Sequence, residues 1–274
     1  MSVTITAADI NKLRQTTGAG MLDCRKALTE SNGDFEAAID WLRKQGQKVA
    51  AKRSDREAKE GVVIAQTTAD GKSGIVLCIS CETDFVSKNA DFVAFAQSIA
   101  DAAIANNVKT AEELNAVTIN GSTVEQLIND KLAAIGEKIA VSKFERVDAP
   151  YVASYIHGAN RMGVLVSMTK EAAEAGKDVA MQIAAMNPLA VDETSISQET
   201  KDREKAIAIE MIKAEGKPAE MAEKIADGKM NKFFKDNTLM AQAFVKDNSK
   251  SVADYLKSID ADLKVTDFKR VALG

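Results

Sequence analysis

One pattern occurs twice along the chain, and it constrains the fold more than any other feature. Two strand-like runs, Val62 to Thr68 and Gly74 to Cys81, flank the turn Ala69-Asp70-Gly71-Lys72-Ser73 and lead through a loop into a helical pattern from about Ala90 to Ala105. Further on, Tyr151 to His157 and Gly163 to Thr169 flank Gly158-Ala159-Asn160-Arg161-Met162 and lead into a helix near Lys177 to Met186. The second strands even begin alike, as Gly74-Ile75-Val76-Leu77 and Gly163-Val164-Leu165-Val166. Strands joined by so short a turn pair antiparallel. Each copy later supplies a candidate third strand, Lys138 to Val147 and Leu263 to Val271. The expected fold class is therefore α+β, with a duplicated core of two small antiparallel sheets, each packed with helices.

Around this core the sequence places three further segments. Residues 1–46 read as a compact three-helix module: Thr6 to about Thr16, Leu22 to about Ser31 and Asp34 to about Gln45, separated by Thr17-Gly18-Ala19-Gly20 and Asn32-Gly33. Thr6 with Asp9 imitates a capping box, Asp34 precedes the apolar positions Phe35, Ala38, Ile39 and Leu42, and Gly46 is expected to close the last helix. Residues 47–60 alternate in charge and are poor in large apolar groups, as a solvated helical linker would be. The core then divides into 61–147 and 148–274, the second half carrying an inserted helical hairpin over 197–235. Its arms, 197–215 and 219–235, meet at Gly216-Lys217-Pro218, and Ile209, Ile212, Met221 and Ile225 form one apolar seam. Met230 and Phe233 remain for the hairpin's own core or for a contact with a partner or a second copy.

Composition narrows the function. At 274 residues, with 46% apolar and 28% charged side chains of mixed sign, the chain has material for more than one compact module. A net charge of -4 and the lack of any basic stripe interleaved with aromatics argue against direct nucleic-acid binding. Neither a basic-then-apolar leader after Met1 nor an apolar run of the ~18 residues that cross a bilayer is evident, so a cytoplasmic protein is expected. Cys24, Cys78 and Cys81 are too few for a disulfide framework. Cys78 and Cys81 match C-x-x-C, but residues three apart on a strand face opposite ways, which favours packing over redox or metal chemistry.

Signals for catalysis fail one by one. Gly71-Lys72-Ser73 has the tail of a phosphate-cradling loop, yet the glycine required five residues earlier is Gln66 and the tripeptide sits in a hairpin turn. Gly18-Ala19-Gly20 opens like a dinucleotide fingerprint, but Asp23 occupies the third glycine position and no strand precedes it. His157 is the one histidine, too little for a zinc site or most acid–base relays. No enzyme, cofactor or metal is expected.

What remains is Glu82-Thr83-Asp84-Phe85-Val86-Ser87-Lys88, between a buried strand and a helix. From physics alone, Asp84 caps the helix and Phe85 packs down, or the ring beside the carboxylate is presented to a partner from a rigid scaffold. Thr83-Asp84-Phe85-Val86-Ser87-Lys88 resembles the central signature of the elongation factor Ts family. Leu13-Arg14, Thr17-Gly18-Ala19-Gly20-Met21 and Asp23-Cys24-Arg25-Lys26-Ala27-Leu28 resemble its N-terminal signature, and Ile135-Gly136-Glu137, Ser154-Tyr155-Ile156-His157-Gly158 and Gly216-Lys217-Pro218 extend the likeness along the chain. The family carries Glu and Asn where this chain has Cys78 and Ser80, and Lys where it has Arg25, differences that bear on the strand leading to Thr83 and not on the loop. A C-terminal helical module found in some relatives is expected to be absent.

The resemblance implies a ubiquitin-associated-like N-terminal module and a guanine-nucleotide exchange factor of translation whose partner is elongation factor Tu. It implies that Arg14, Met21 and Leu22 dock on the partner's nucleotide-binding domain. Asp84 and Phe85 would then intrude near its magnesium site, with Thr83 and Val86 beside them among the partner-binding residues, Ile135 and Gly136 would lie toward its phosphate loop, and His157 toward another domain. Two other classes stay open: a ubiquitin-associated-type adaptor without exchange activity, and a thiol oxidoreductase using Cys78 and Cys81.

Overall fold

The structure, a computed structural model, describes residues 4–53, 55–216 and 218–274. Met1, where a leader was sought, Ser54 of the charged segment and Lys217 of the hairpin turn lie outside them. The chain opens with α1 (Ala7–Thr17), α2 (Met21–Glu30) and α3 (Phe35–Arg53). The first half of the core follows: β1 (Glu60–Thr67), β2 (Ser73–Cys81), α4 (Asp84–Ser87), α5 (Ala90–Ala105), α6 (Ala111–Ala116), β3 (Thr118–Ile119), β4 (Ser122–Thr123), α7 (Val124–Ile135) and β5 (Ala140–Asp148). The second half comprises β6 (Tyr151–His157), β7 (Met162–Met168), α8 (Ala173–Met186), α9 (Gln198–Ala214), α10 (Ala219–Asn237), β8 (Ala243–Phe244), β9 (Asp247–Ser251), α11 (Val252–Ile259) and β10 (Val265–Ala272).

The duplication is realised in the sheets. β1-β2-β5 and β10-β7-β6 are both antiparallel, with the central strand supplied by the second member of each hairpin and the late strand added at its free edge. The two sheets pack face to face through Val63, Val76, Cys78, Val147, Val152, Leu165 and Val271. Their outer faces carry the other parity: Val62, Ile64, Ile75, Leu77 and Ile79 meet α5 and α7, while Ala153, Val164, Val166 and Met168 meet α8 and α11. The period-2 alternation of a strand thus serves two cores at once. The paired glycines have the same explanation. A Cβ on Gly74 would come within 2.9 Å of Val152 Cγ1, and one on Gly163 within 2.9 Å of both Val63 Cγ1 and Val76 Cγ2. Each sheet leaves a gap that a valine of the other fills.

Several expectations about helices need correction. Gly46 does not end the third helix, because α3 runs on to Arg53. The glycine instead lets α3 approach α7, since a Cβ there would stand 2.7 Å from Ala133 Cβ. The segment expected as a solvated linker is accordingly docked: Val49 packs on the first core and Arg53 pairs with Glu82 at 2.8 Å. A continuous helix therefore crosses the boundary drawn at residue 46. In the hairpin, the seam is built from Ala208, Ile212, Ala222 and Ala226, flanked by Ile209 and Ile225. Small alanines let the arms close, leaving Met221 53% exposed, whereas Met230 is buried and Phe233 lies edge-on to Phe234.

Candidate functional site

β2 is buried along its whole length, so the chain leaves the sheet at Cys81 as a rigid exit. Cys78 faces the inter-sheet core and Cys81 the helix-covered core. The two thiols therefore occupy opposite faces of one strand and share no site. Burial pushes both up, Cys81 to about 12, with Glu137 adding to the effect, and its Sγ–H donates to the Thr83 carbonyl at 3.2 Å. Ser80, another position where the family differs, donates its hydroxyl to the Ala140 carbonyl at 3.3 Å across to β5.

Immediately after this exit, Thr83 is the N-cap of the one-turn helix α4, but its side chain makes no capping bond. Its hydroxyl donates to Glu137 Oε1 at 2.7 Å instead. Asp84 is the first helical residue, not the cap, and its carboxylate takes Lys88 Nζ at 2.6 Å, which holds it below the usual carboxylate range. Phe85 does not pack down: its ring is 86% exposed. Val86, one residue on, turns inward against the first core. The loop thus alternates an outward ring with an inward anchor.

The other expected residues divide into two groups. Gly18, left-handed at the end of α1, lies 3.8 Å from Ala134 of α7 by its notional Cβ. The α1–α2 turn therefore rests against the helix that ends at Ile135. Leu22 (82% exposed) and the exposed Met21 start α2 beside this turn, and the exposed Arg14 is in the last turn of α1. Gly18, Phe85, Val86 and Ile135 line a single cleft of ≈ 1000 Å³ between the helical module and the first core. Gly136 supplies the left-handed C-cap of α7, which turns the chain back from Ile135. Asp130 also lines the cleft, where burial pushes its carboxyl up against the pull of Arg43.

His157 stands apart, at the end of β6 in the second sheet, exposed, with Tyr155 Oη 3.0 Å from Nδ1. Its turn nevertheless reaches the same end of the sandwich: Arg161 pairs with Glu60 at 2.9 Å, and Glu60 is the β-partner of Cys81.

Three contributors to the site carry no role in the sequence reading. α7 was not expected at all, although Thr123 with Gln126 forms a capping box and Val124, Ile128 and Leu132 mark its buried face. Glu82 and Glu137 lie within quoted motifs, but the bonds between their two segments span more than fifty residues of sequence, for which no local signal exists. Among the described residues, no group of three or more His, Cys, Asp or Glu side chains is arranged to hold a metal ion, and no helix is long and apolar enough to cross a membrane.

Comparisons with known proteins converge on one family. The family described as "Elongation factor TS" matches residues 82–274. The chain is 51% identical over 274 residues to elongation factor Ts of Flavobacterium psychrophilum, covering 99% of each protein. It is 50% identical over 273 residues to that of Christiangramia forsetii, covering 98% of this chain and 99% of the relative. With elongation factor Ts of Clostridium perfringens it shares 43% over 282 residues, covering 98% and 93%. These likenesses make it a translation elongation factor. The chain belongs to the elongation factor Ts family.

Proposed function

We propose that the chain binds elongation factor Tu and promotes release of its GDP. The observation that carries this reading is the exposed ring of Phe85, 86% in solvent at the tip of a rigid strand exit with Asp84 beside it. A large apolar side chain held out of a core costs hydration in the free protein and becomes useful when a partner covers it. In this reading Arg14, Met21 and Leu22 dock the helical module on the partner's nucleotide-binding domain. Asp84 and Phe85, with Thr83 and Val86 shaping their loop, intrude near the magnesium site. Ile135 and Gly136 face the phosphate loop, and His157 meets a further domain.

The mechanism is differential binding. A factor that holds the nucleotide-free partner tightly must weaken nucleotide by the same coupling free energy, and nucleotide weakens the factor equally. Disturbing the magnesium ion and the phosphate cradle removes charge compensation from the diphosphate, so no covalent step is required. A cytoplasmic setting belongs to the same reading, with which three free, buried cysteines are compatible.

The test is release of a fluorescent GDP analogue from elongation factor Tu with and without the chain. Acceleration that saturates with the factor supports the reading. Binding without acceleration would leave a ubiquitin-associated-type adaptor in its place. A second contact is favoured by the hairpin, where Ile207, Met211 and Met221 are exposed. Sedimentation over a concentration series decides whether the hairpin joins two copies.

A further inference from the structure

The loop that carries Phe85 is not oriented by its own helix. α4 has four residues, too few to be stable alone, and its N-cap hydroxyl is turned elsewhere. Two carboxylates hold it instead. Glu137 Oε2 accepts the backbone N–H of Glu82 at 3.1 Å and of Thr83 at 3.0 Å, while Oε1 accepts the Thr83 hydroxyl at 2.7 Å. Glu82 reaches the opposite way. Its Oε1 accepts the Lys138 N–H at 2.6 Å and Arg53 Nη1 at 2.8 Å, and its Oε2 accepts Arg56 Nη1 at 3.0 Å. Lys138 Nζ adds a bond to the Arg56 carbonyl at 3.0 Å.

Among the described residues each carboxylate thus receives three donors, which a carboxylate with its roughly four lone-pair sites accommodates. The Glu82 side chain is only 15% exposed, and charge-assisted bonds in such a setting are among the stronger ones. The Lys138 N–H, followed by Arg53 and Arg56, holds its pKa down at about 2, so it stays ionised at any working pH.

Three segments remote in sequence meet in this buckle: the end of α3, the loop before α4 and the turn after α7. Each borders one part of the exposed surface. Phe85 follows Thr83, Ile135 precedes Glu137, and α3 belongs to the module that presents Leu22. We propose that Glu82 and Glu137 are positioning residues that lock Phe85, Ile135 and the helical module into one preassembled binding surface. Preassembly removes the ordering cost that a loose loop would impose on binding and keeps the ring aimed as charge compensation is disturbed. The inference rests on the exchange reading above.

The experiment compares Glu137→Ala, Glu137→Gln and the double variant R53A/R56A in the full chain. Amide hydrogen exchange, melting temperature, maximal GDP release and the half-saturating factor concentration are read together. Glu137→Ala should speed exchange of the Glu82 and Thr83 amides while leaving the β2 amides unchanged. It should also lower maximal release about tenfold, the factor that about 1.4 kcal/mol represents, with a smaller change in half-saturation. Glu137→Gln should restore both, because its carbonyl can accept both amides and its NH2 can donate to the Thr83 oxygen. R53A/R56A should leave maximal release intact and raise the half-saturating concentration about two- to fivefold, the scale of partly exposed ion pairs. Should Glu137→Ala fail to fold, that double variant decides, because it changes no residue of the loop or the turn; an unchanged half-saturating concentration then overturns the proposal. Unchanged amide protection in Glu137→Ala, or loss of release only in proportion to a lowered melting temperature with no rescue by Gln, overturns the proposal. A wild-type chain without exchange activity refutes the exchange reading instead, while amide protection still judges the buckle.

Discussion

Replacing Phe85 by alanine should separate binding from folding. With 86% of the ring already in water, the truncation removes roughly one-seventh of a buried Phe's value, a few tenths of a kcal/mol on a scale of ~1.5 to 3 kcal/mol. The melting temperature should therefore barely move. If a partner buries the ring in the exchange-competent complex, the whole of that value is lost there, and GDP release should slow about ten- to a hundredfold. Phe92 provides the internal contrast: it is 2% exposed in the first core, and its truncation should cost about 3 to 5 kcal/mol of stability. Thermal melting and GDP release from elongation factor Tu should be measured on the same preparation of each variant, with Asp84→Ala expected to act in the direction of Phe85→Ala. A strongly destabilised Phe85→Ala, or a stable one with unchanged release, would refute the reasoning and return the loop to ordinary structure.

Cys81, with its thiol raised to about 12 by burial, contributes stability that is complete below its ordinary value near 9 and is lost as pH rises from there toward 12. Urea titrations across that range should show a steeper alkaline decline for the wild type than for Cys81→Ala; equal slopes count against it. Glu82 works in the opposite direction: depressed to about 2, it stabilises above its ordinary value near 4.5, and the advantage over Glu82→Gln should shrink as pH falls from about 5 toward 2. Gly163→Ala should cost about 1 to 3 kcal/mol by pressing on Val63 and Val76 at 2.9 Å, measured as a shift in the denaturant midpoint at constant slope. Replacing residues 197–232 by a short flexible link should leave the core's melting largely unchanged, since the hairpin's apolar seam is shared between its own arms, and collapse of the whole transition would show otherwise.

Local chemistry made much of the architecture legible. The Thr6–Asp9 capping box and the Asp34 cap formed as the residues suggested, because a helix start is decided by side chains within three positions of it. The sheets followed from alternation and short turns, and the opposed faces of Cys78 and Cys81 from strand geometry alone. α8 begins at Ala173, earlier than expected, and no side chain caps it, so no residue announced its start. Gly46 misled because a glycine inside a helix costs only about 1 kcal/mol, little enough to be offset by the close approach of α3 to α7.

The residues by themselves determined the capped helix starts of the N-terminal module, the paired hairpins of the duplicated core, and which loop stands out chemically, because each is written in patterns a few residues long. Whether Phe85 points into the core or into solvent was decided only in three dimensions. A four-residue helix has no periodicity to declare a face, and its orientation is set by Glu137, more than fifty positions away, meeting the Glu82 and Thr83 amides. The docking of the charged segment onto Glu82 has the same origin: like any ion pair between remote segments, it exists only once the fold has brought the two together.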